Sequence, residues 1–558
     1  MKILYLLLLL TFLVNAQTLK EVNMNMRNAF SLGDYKAAFD FAKQAVDMSE
    51  KEFGRDSNYA AAVNNLATMY MRRFYYFDAL EHYNLTLRVK EEIGKNNDYS
   101  YASTLINLGD LYRLRGLPDS AYLYYLKAGE IDKAERGAES DEYGSALINT
   151  GVMAFVMGDY NEAEIKLMQA KEIREKRGMF NTLSYGALLV HIGNVLRAKG
   201  EYVKSEDYFR TAVARLSHIT GNISKLYINA EKQFGELLID MGKLMQADSA
   251  LGKARYYLKT SFKETDPEYT ELQISSAELF LKMGRLSMAA ETAEEAFEIR
   301  KKIYRPFHPA FLNSVFVLAK VYYTQERFEE AFELLTGFFE NSLNMRELYF
   351  PSMSLDARVS FFKDYNSAIS IYASLAERLI QDKGKKGELI LTNFFIGNTL
   401  NPVNKTKFED PFMYSYLFDD SKNKAISDWL KLADRTGRIA MLTNEALSKW
   451  GENLDSLINV MLKERDEIAK TQPEFASYFK NFHKSWEDFR DSADEGKSIF
   501  YLVKFPAEPG SLIPVYKIGA VTMQIKGKNP PMYREITVLN SENEISQEKL
   551  LKIAAEVK

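Results

Sequence analysis

The 558-residue chain contains no cysteine. That absence excludes disulfide staples, thiolate metal sites and a cysteine nucleophile within it. Histidine is scarce as well: His82, His191, His218, His308 and His483 are its five, spaced too widely along the chain for an imidazole metal cluster. Each is expected to play a structural or solvent-facing role. Neither sign of charge dominates. The 72 Lys+Arg against 76 Asp+Glu leave a net charge of -4, which points away from nucleic acid and anionic membranes and toward protein partners. Beyond the first residues no apolar run approaches the about 20 residues of a membrane span, and no motif calls for a cofactor.

The one apolar run opens the chain. Lys2 supplies a positive start, Ile3 to Val14 is mostly apolar, and Val14-Asn15-Ala16 offers small or modest residues for cleavage before Gln17. Met1 to Ala16 therefore has the pattern of a secretory signal, too short to span a bilayer. With no cysteine after it to carry a lipid, the mature chain is expected to begin near Gln17 as an exported, periplasmic or extracellular protein with no stable membrane insertion.

A chain of this length exceeds a single core and implies several domains or a repeat array. The repeat is explicit. A small residue after an apolar one recurs as Ala67, Gly109, Gly151, Gly193, Gly235, Ala277 and Ala319, each 42 residues from the next. A second small residue follows at Ala79, Ala121, Ala163, Ser205, Ala247, Ala289 and Ala331. Between the two marks stands Gly116, Gly158, Gly200, Gly242 or Gly284 in the five middle copies. Self-similarity at a fixed period outranks any local reading of helix or strand. Apolar spacing of three and four on each side of the glycine predicts two amphipathic helices per copy, and small residues at the marks let the two approach closely. Thr150 and Ala154 make the third copy atypical, and Glu326 replaces the glycine in the seventh. Gly33 to Ala38, with Ala42 and Ala45, forms a leading partial copy.

Leu108-Gly109-Asp110-Leu111-Tyr112 running through Gly116 to Ala121 and Ala128 resembles the tetratricopeptide repeat. The ordinary repeat is about 34 residues; the longer interval here, with Asn64-Asn65-Leu66-Ala67 and Phe307-His308-Pro309, resembles the kinesin-light-chain type. The resemblance implies stacked helical hairpins in a superhelix whose concave face, built from first helices, binds a partner. The position before the apolar mark is expected to point into that face. It carries Asn65, Asn107, Asn149, His191, Gln233 and Ser275, then Val317. An amide both donates and accepts, so such a ladder can pair with the backbone of an extended peptide; the same side chains could instead cap neighbouring loops or face water. Arg113 and Arg197 add positive charge at two copies.

After Glu340 the register is lost. Ser354 to Gln381 is expected as a helix, Lys383 to Lys386 as a solvated basic turn, and Asn401-Pro402 to Asp410-Pro411 as a loop. Two long helices, Ser421 to Lys449 and Leu454 to Thr471, are expected to pair as a hairpin. From Trp486 the pattern changes class. Lys497 to Phe505 is a strand by composition, Leu512 to Ile525 one or two more, Glu535 to Leu539 another, and Gln547 to Val557 the start of a helix in which the chain stops.

The order of repeats, connector, Trp486-Glu487-Asp488-Phe489 and a strand with Ile499 and Val503 resembles the beginning of a CHAT domain, the caspase-like domain that follows tetratricopeptide repeats in many bacterial proteins. The resemblance implies a histidine–cysteine dyad later in such a domain. Here there is no cysteine and His483 precedes the fold, so no catalytic residue carries over and the chain is expected to be inactive and cut short. The expected class is mostly α: a superhelix of helical hairpins over residues 17–340, a helical connector over 341–485, and a short incomplete α/β segment over 486–558. The expected function is an exported scaffold that binds a protein or extended peptide. Its alternatives are a part of a caspase-like cysteine peptidase whose catalytic half is absent, and an architectural repeat protein that self-associates through its end copy or its open strand edges.

Overall fold

The computed structural model describes residues 18–348, 355–399, 424–450, 453–473, 475–476, 498–506, 516–524 and 532–539. The expected signal at Met1 to Ala16 lies outside them, as do Tyr349-Phe350-Pro351, the loop Asn401 to Pro411, Trp486 to Phe489, the turns at Glu508 to Gly510 and Asn529 to Pro531, and the helix Gln547 to Val557.

Each 42-residue copy is a pair of helices. A complete hairpin, α1 (Leu19–Ser31) and α2 (Tyr35–Phe53), precedes the first counted copy. Copies one to three are α3 (Ser57–Arg72) with α4 (Tyr76–Glu92), α5 (Tyr99–Leu114) with α6 (Pro118–Arg136), and α7 (Asp141–Val156) with α8 (Tyr160–Lys176). Copy four is α9 (Leu183–Ala198) with α10 (Tyr202–Thr220). Copies five to seven are α11 (Lys225–Asp240) with α12 (Leu244–Ser261), α13 (Pro267–Lys282) with α14 (Leu286–Ile303), and α15 (Pro309–Thr324) with α16 (Phe328–Leu348). The chain divides inside α10 into two compact units, Met1–Tyr208 and Phe209–Lys558.

The small residues have the effect foreseen for them. A methyl group on Gly109 would lie 2.5 Å from Cε1 of the Tyr125 ring, and one on Gly151 2.8 Å from Cγ of Leu167. First and second helices thus touch through the side chain four residues past the second mark, and Tyr83, Tyr125 and Leu167 are buried there. The atypical polar residues are satisfied locally. Thr150 donates to the Ala146 carbonyl at 2.9 Å, and Ser205 donates to the Gly193 carbonyl at 2.7 Å. A buried hydroxyl bonded to a backbone oxygen avoids the cost of an orphaned polar group.

A second ladder fixes where first helices begin. Asp56, Asp98, Ser140, Thr182, Ser224, Asp266 and His308 cap α3, α5, α7, α9, α11, α13 and α15, each accepting a backbone N–H two or three residues on. They recur at the same 42-residue interval. Six are the short oxygen-bearing residues that helix N-termini favour; the seventh is an imidazole.

The turn between paired helices needs a left-handed residue. Gly116, Gly158, Gly200, Gly242 and Gly284 lie between φ 69 and 82°, and Phe74 (φ 63°) and Glu326 (φ 61°) hold the same place in the first and seventh copies.

Within the second unit, α17 (Leu355–Leu379) is the expected helix. Lys383 to Lys386 is not a loop turn but the start of α18 (Lys383–Thr399): Lys383 and Lys385 are exposed as expected, whereas Lys386 is buried with Nζ donating to the Glu377 carbonyl at 3.2 Å. Its long apolar stem packs while its ammonium reaches a helix C-terminal oxygen, which a count of charges does not reveal. The expected helix Ser421 to Lys449 is two elements, α19 (Lys424–Ala440) and α20 (Asn444–Trp450), because Thr443 caps a new start through the Ala446 N–H at 3.2 Å. Packing between α19 and α21 (Leu454–Thr471) is anchored by Trp429, whose Nε1 donates to the Met461 carbonyl at 2.8 Å. Three antiparallel strands, β1 (Ser498–Pro506), β2 (Tyr516–Gln524) and β3 (Met532–Leu539), pair in that order, with an irregularity at Ile518/Gly519. Helix α17 packs on β1, and α18 packs on β3.

Candidate functional site

First helices of both units carry the six residues singled out from the sequence. In the first unit Asn65 on α3, Asn107 on α5, Asn149 on α7 and His191 on α9 are all half-buried. In the second, Gln233 on α11 and Ser275 on α13 have the same exposure, and Val317 on α15 is buried. Their equal place in the repeat gives them equal depth, since each is followed by a buried residue, apolar except at Thr150 and Ser276.

Their bonding differs. Asn107 Nδ2 donates to Oδ1 of Asn64 at 3.3 Å, so part of its capacity is used inside the array. Gln233 donates to Asn229 one turn earlier. The side-chain amides of Asn65 and Asn149 make no hydrogen bond with any described residue. Burial pushes the His191 imidazole down from its ordinary value, which keeps it neutral at pH 7. The guanidinium of Arg113 lies 3.5 Å from Asp110, which also accepts from the Tyr125 hydroxyl at 2.7 Å, so its charge is matched within the array.

The residue that sequence reasoning missed here is Asn64. Its Oδ1 accepts from Asn107 and, at 3.2 Å, from Thr104 Oγ1, which ties α3 to α5. Thr104 in turn accepts from the buried Lys90 ammonium at 2.9 Å. Asn64, Thr104 and Lys90 lie along a cavity of about 340 Å³ lined also by Asn65, Ser57 and Ser103. Lys90 was legible in principle, because it shares its register with Arg174 and Arg300, but those positions fall late in second helices, away from the face being tracked.

Residues 27–59, 58–134 and 100–176 match the tetratricopeptide repeat. The mostly helical array of hairpins expected from the sequence is the fold observed, and repeats of this type generally serve as protein–protein scaffolds. Among solved structures, BtubC (BKLC) from P. vanneervenii is 21% identical, covering 36% of this chain and 81% of its own, with a TM-score of 0.34. The putative kinesin light chain repeats of Podosopora anserina are 19% identical over 37% and 98%, with a TM-score of 0.34. A tetratricopeptide repeat protein from Parabacteroides merdae is 18% identical over 51% and 94%, with a TM-score of 0.37. No curated protein matches the chain. No helix among the described residues is long and apolar enough to cross a membrane.

Proposed function

We propose that this chain is an exported interaction scaffold that holds a protein segment in extended conformation along the concave face of its first helices. The observation that carries the reading is that Asn65 and Asn149, in register two repeats apart, are half-buried amides with no bonded neighbour among the described residues. Between them stands Asn107, which keeps its own carbonyl oxygen and one N–H. A half-buried amide loses water contacts without replacing them, and a peptide backbone supplies a donor and an acceptor in the alternation that such amides need. Export follows from the signal-like Met1 to Ala16. The resemblance of the residues from Trp486 onward to the start of a CHAT domain supports reading the array as the recognition arm of such a protein.

The test is calorimetric titration of the full chain with a set of unstructured peptides. Replacing Asn65, Asn107 and Asn149 together by alanine should weaken the bound peptides at least tenfold while leaving the helical circular dichroism unchanged; undiminished affinity would place binding elsewhere. Export is checked by N-terminal sequencing of secreted protein, expected to begin near Gln17. Self-association has one observation in its favour. Among the described residues β1 and β3 each pair on one side only, and open strand edges invite further pairing. Sedimentation would reveal it.

A further inference from the structure

Lys90 is 7% exposed near the end of α4, yet it has no carboxylate partner among the described residues. Its ammonium donates to two neutral oxygens, the Ser100 carbonyl at 2.5 Å and Thr104 Oγ1 at 2.9 Å, which leaves the third hydrogen for the cavity that Lys90 lines. Asp98, the acidic group on the same cavity, is already engaged: it caps α5 through the Tyr101 N–H at 2.9 Å and accepts from the Ser100 hydroxyl at 2.7 Å. Asn64 is oriented by two donors to its Oδ1, so both Nδ2 hydrogens stay available. Asp98 is near enough to act on the Lys90 charge but does not bond to it; a buried cation with no carboxylate in contact is costly, and this one sits with unused donors on a cavity of ligand size.

The chain itself shows how such a position is completed. Five repeats later the same register holds Arg300, fully buried. Its Nη1 donates to the Ala310 carbonyl at 2.7 Å, the counterpart of Lys90 on Ser100, and also to Asn313 Oδ1 at 3.0 Å. Its Nη2 meets the carboxylate of Glu271 at 2.5 Å. Two repeats after Lys90 the register holds Arg174, whose Nη2 donates to Ser145 Oγ at 3.1 Å and whose Nε lies 3.3 Å from Asp141. Glu271 and Ser145 share one register position, and beside Lys90 that position is Ala61. Asn313 likewise corresponds to Ser103. Both substitutions remove bulk and polarity on the cavity wall, and both wall residues are exposed.

We infer that the Lys90 cavity is a carboxylate-binding site, in which a ligand carboxylate takes the place that the Glu271 side chain holds beside Arg300. Asn64 and Asn65 contribute amide hydrogens beside it, and the hydroxyls of Ser57 and Ser103 complete a wall suited to a hydrated or hydroxylated acid. The carboxylate belongs either to a free small acid or to an acidic residue of a peptide lying on the first-helix face. The second source rests on the scaffold reading above; the first does not.

The experiment uses the full chain and three probes: N-acetylglutamate, the peptide acetyl-Ala-Ala-Glu-Ala-Ala-amide, and its glutamine counterpart. Calorimetry is run on the wild type, on Lys90→Met, which keeps the stem, and on Ala61→Glu, which installs the internal carboxylate. The wild type should bind N-acetylglutamate or the glutamate peptide at least tenfold more tightly than the glutamine peptide. Both variants should lose that preference, and Ala61→Glu should melt higher than the wild type. Preference for the free acid assigns the site to small molecules, and preference for the glutamate peptide to acidic segments; either upholds the site. Binding in which neither acidic probe is preferred over the glutamine peptide, or a preference that survives in either variant, overturns it while leaving the amide face standing. Binding of N-acetylglutamate alone, lost in both variants, upholds the cavity and counts against the peptide reading. No binding of any probe overturns it.

Discussion

Gly109 and Tyr125 are in contact so close that a single methyl group on the glycine would fall 2.5 Å from the ring. Tyr125 is 1% exposed and its hydroxyl is tied to Asp110, so the ring has nowhere to turn. Burial is the main reason its phenol is pushed well above the ordinary value.

Gly109→Leu should therefore destabilise by about 2–3 kcal/mol, an overpacking cost rather than a helix-propensity gain. Chemical denaturation of the full chain would show it as a lower midpoint for the transition of the first unit. Gly252, which meets nothing within 4 Å, supplies the control: Gly252→Ala should stabilise by up to about 1 kcal/mol.

At the turn positions the prediction runs the other way. Glu326 holds φ 61°, and its side chain makes no ion pair or hydrogen bond among the described residues to offset it. A non-glycine residue in the left-handed region costs roughly 1–2 kcal/mol, so Glu326→Gly should raise stability by about 1 kcal/mol. Phe74→Gly should gain less or lose outright, because Phe74 packs on the cluster around Tyr76 and Leu108. The two variants measured by the same unfolding assay test whether strain and packing separate as argued.

His308 caps α15 by accepting the Ala310 N–H on Nδ1 at 3.1 Å, and its ring stacks on Tyr304 at 4.0 Å. Burial, with the Arg300 charge adding to it, pushes its pKa down from 6.5 to about 4. The unfolded chain takes up a proton near pH 6.5 that the folded chain refuses until about pH 4. The stability linked to this residue is complete above pH 6.5 and is lost as pH falls from there to about 4. His308→Ser retains a cap and removes the titration. Between pH 7 and pH 4 the melting temperature should fall less in the variant than in the wild type, so the variant's value relative to the wild type's rises as pH falls. A difference independent of pH would exclude the mechanism.

Lys90 titrates in the opposite range. Desolvation lowers its pKa from 10.5 to about 8, opposed by Asp98 and assisted by Lys95. Without ligand, stability should rise between pH 8 and 10.5, because there the unfolded chain holds a proton that the folded chain has released. A bound carboxylate favours the charged ammonium, so its affinity should fall as pH rises past 8, and binding at pH 8–9 should be accompanied by proton uptake. Calorimetry in two buffers of different ionisation enthalpy measures that uptake directly; its absence would exclude Lys90 as the carboxylate's partner.

The hairpins were legible because spacing, glycine and small residues all repeat together, and each has a local cause. The capping ladder from Asp56 to His308 repeats just as regularly, but Asp, Ser, Thr and His look dissimilar until their shared geometry is seen. Lys386 was read as solvated because ammonium groups usually are; only the tertiary position of Glu377 shows where its charge goes. The break at Thr443 was hidden inside a charged helical pattern, where one hydroxyl bonding to Ala446 decides the boundary. The amides of the face could be placed by counting, whereas the link through Asn64 could not, since it depends on the approach of two helices 40 residues apart in sequence.

The register shared by Ala61, Ser145 and Glu271 has a consequence for how such an array changes over time. Where that position is acidic, a cation from the second helix is riveted to its own chain and the hairpin gains rigidity. Where it is alanine beside a cation, as at Ala61 and Lys90, the same socket stands open to the cavity. In the copies that carry a cation in this register, Lys90, Arg174 and Arg300, that single position thus exchanges internal pairing for receptivity without altering the path of the backbone.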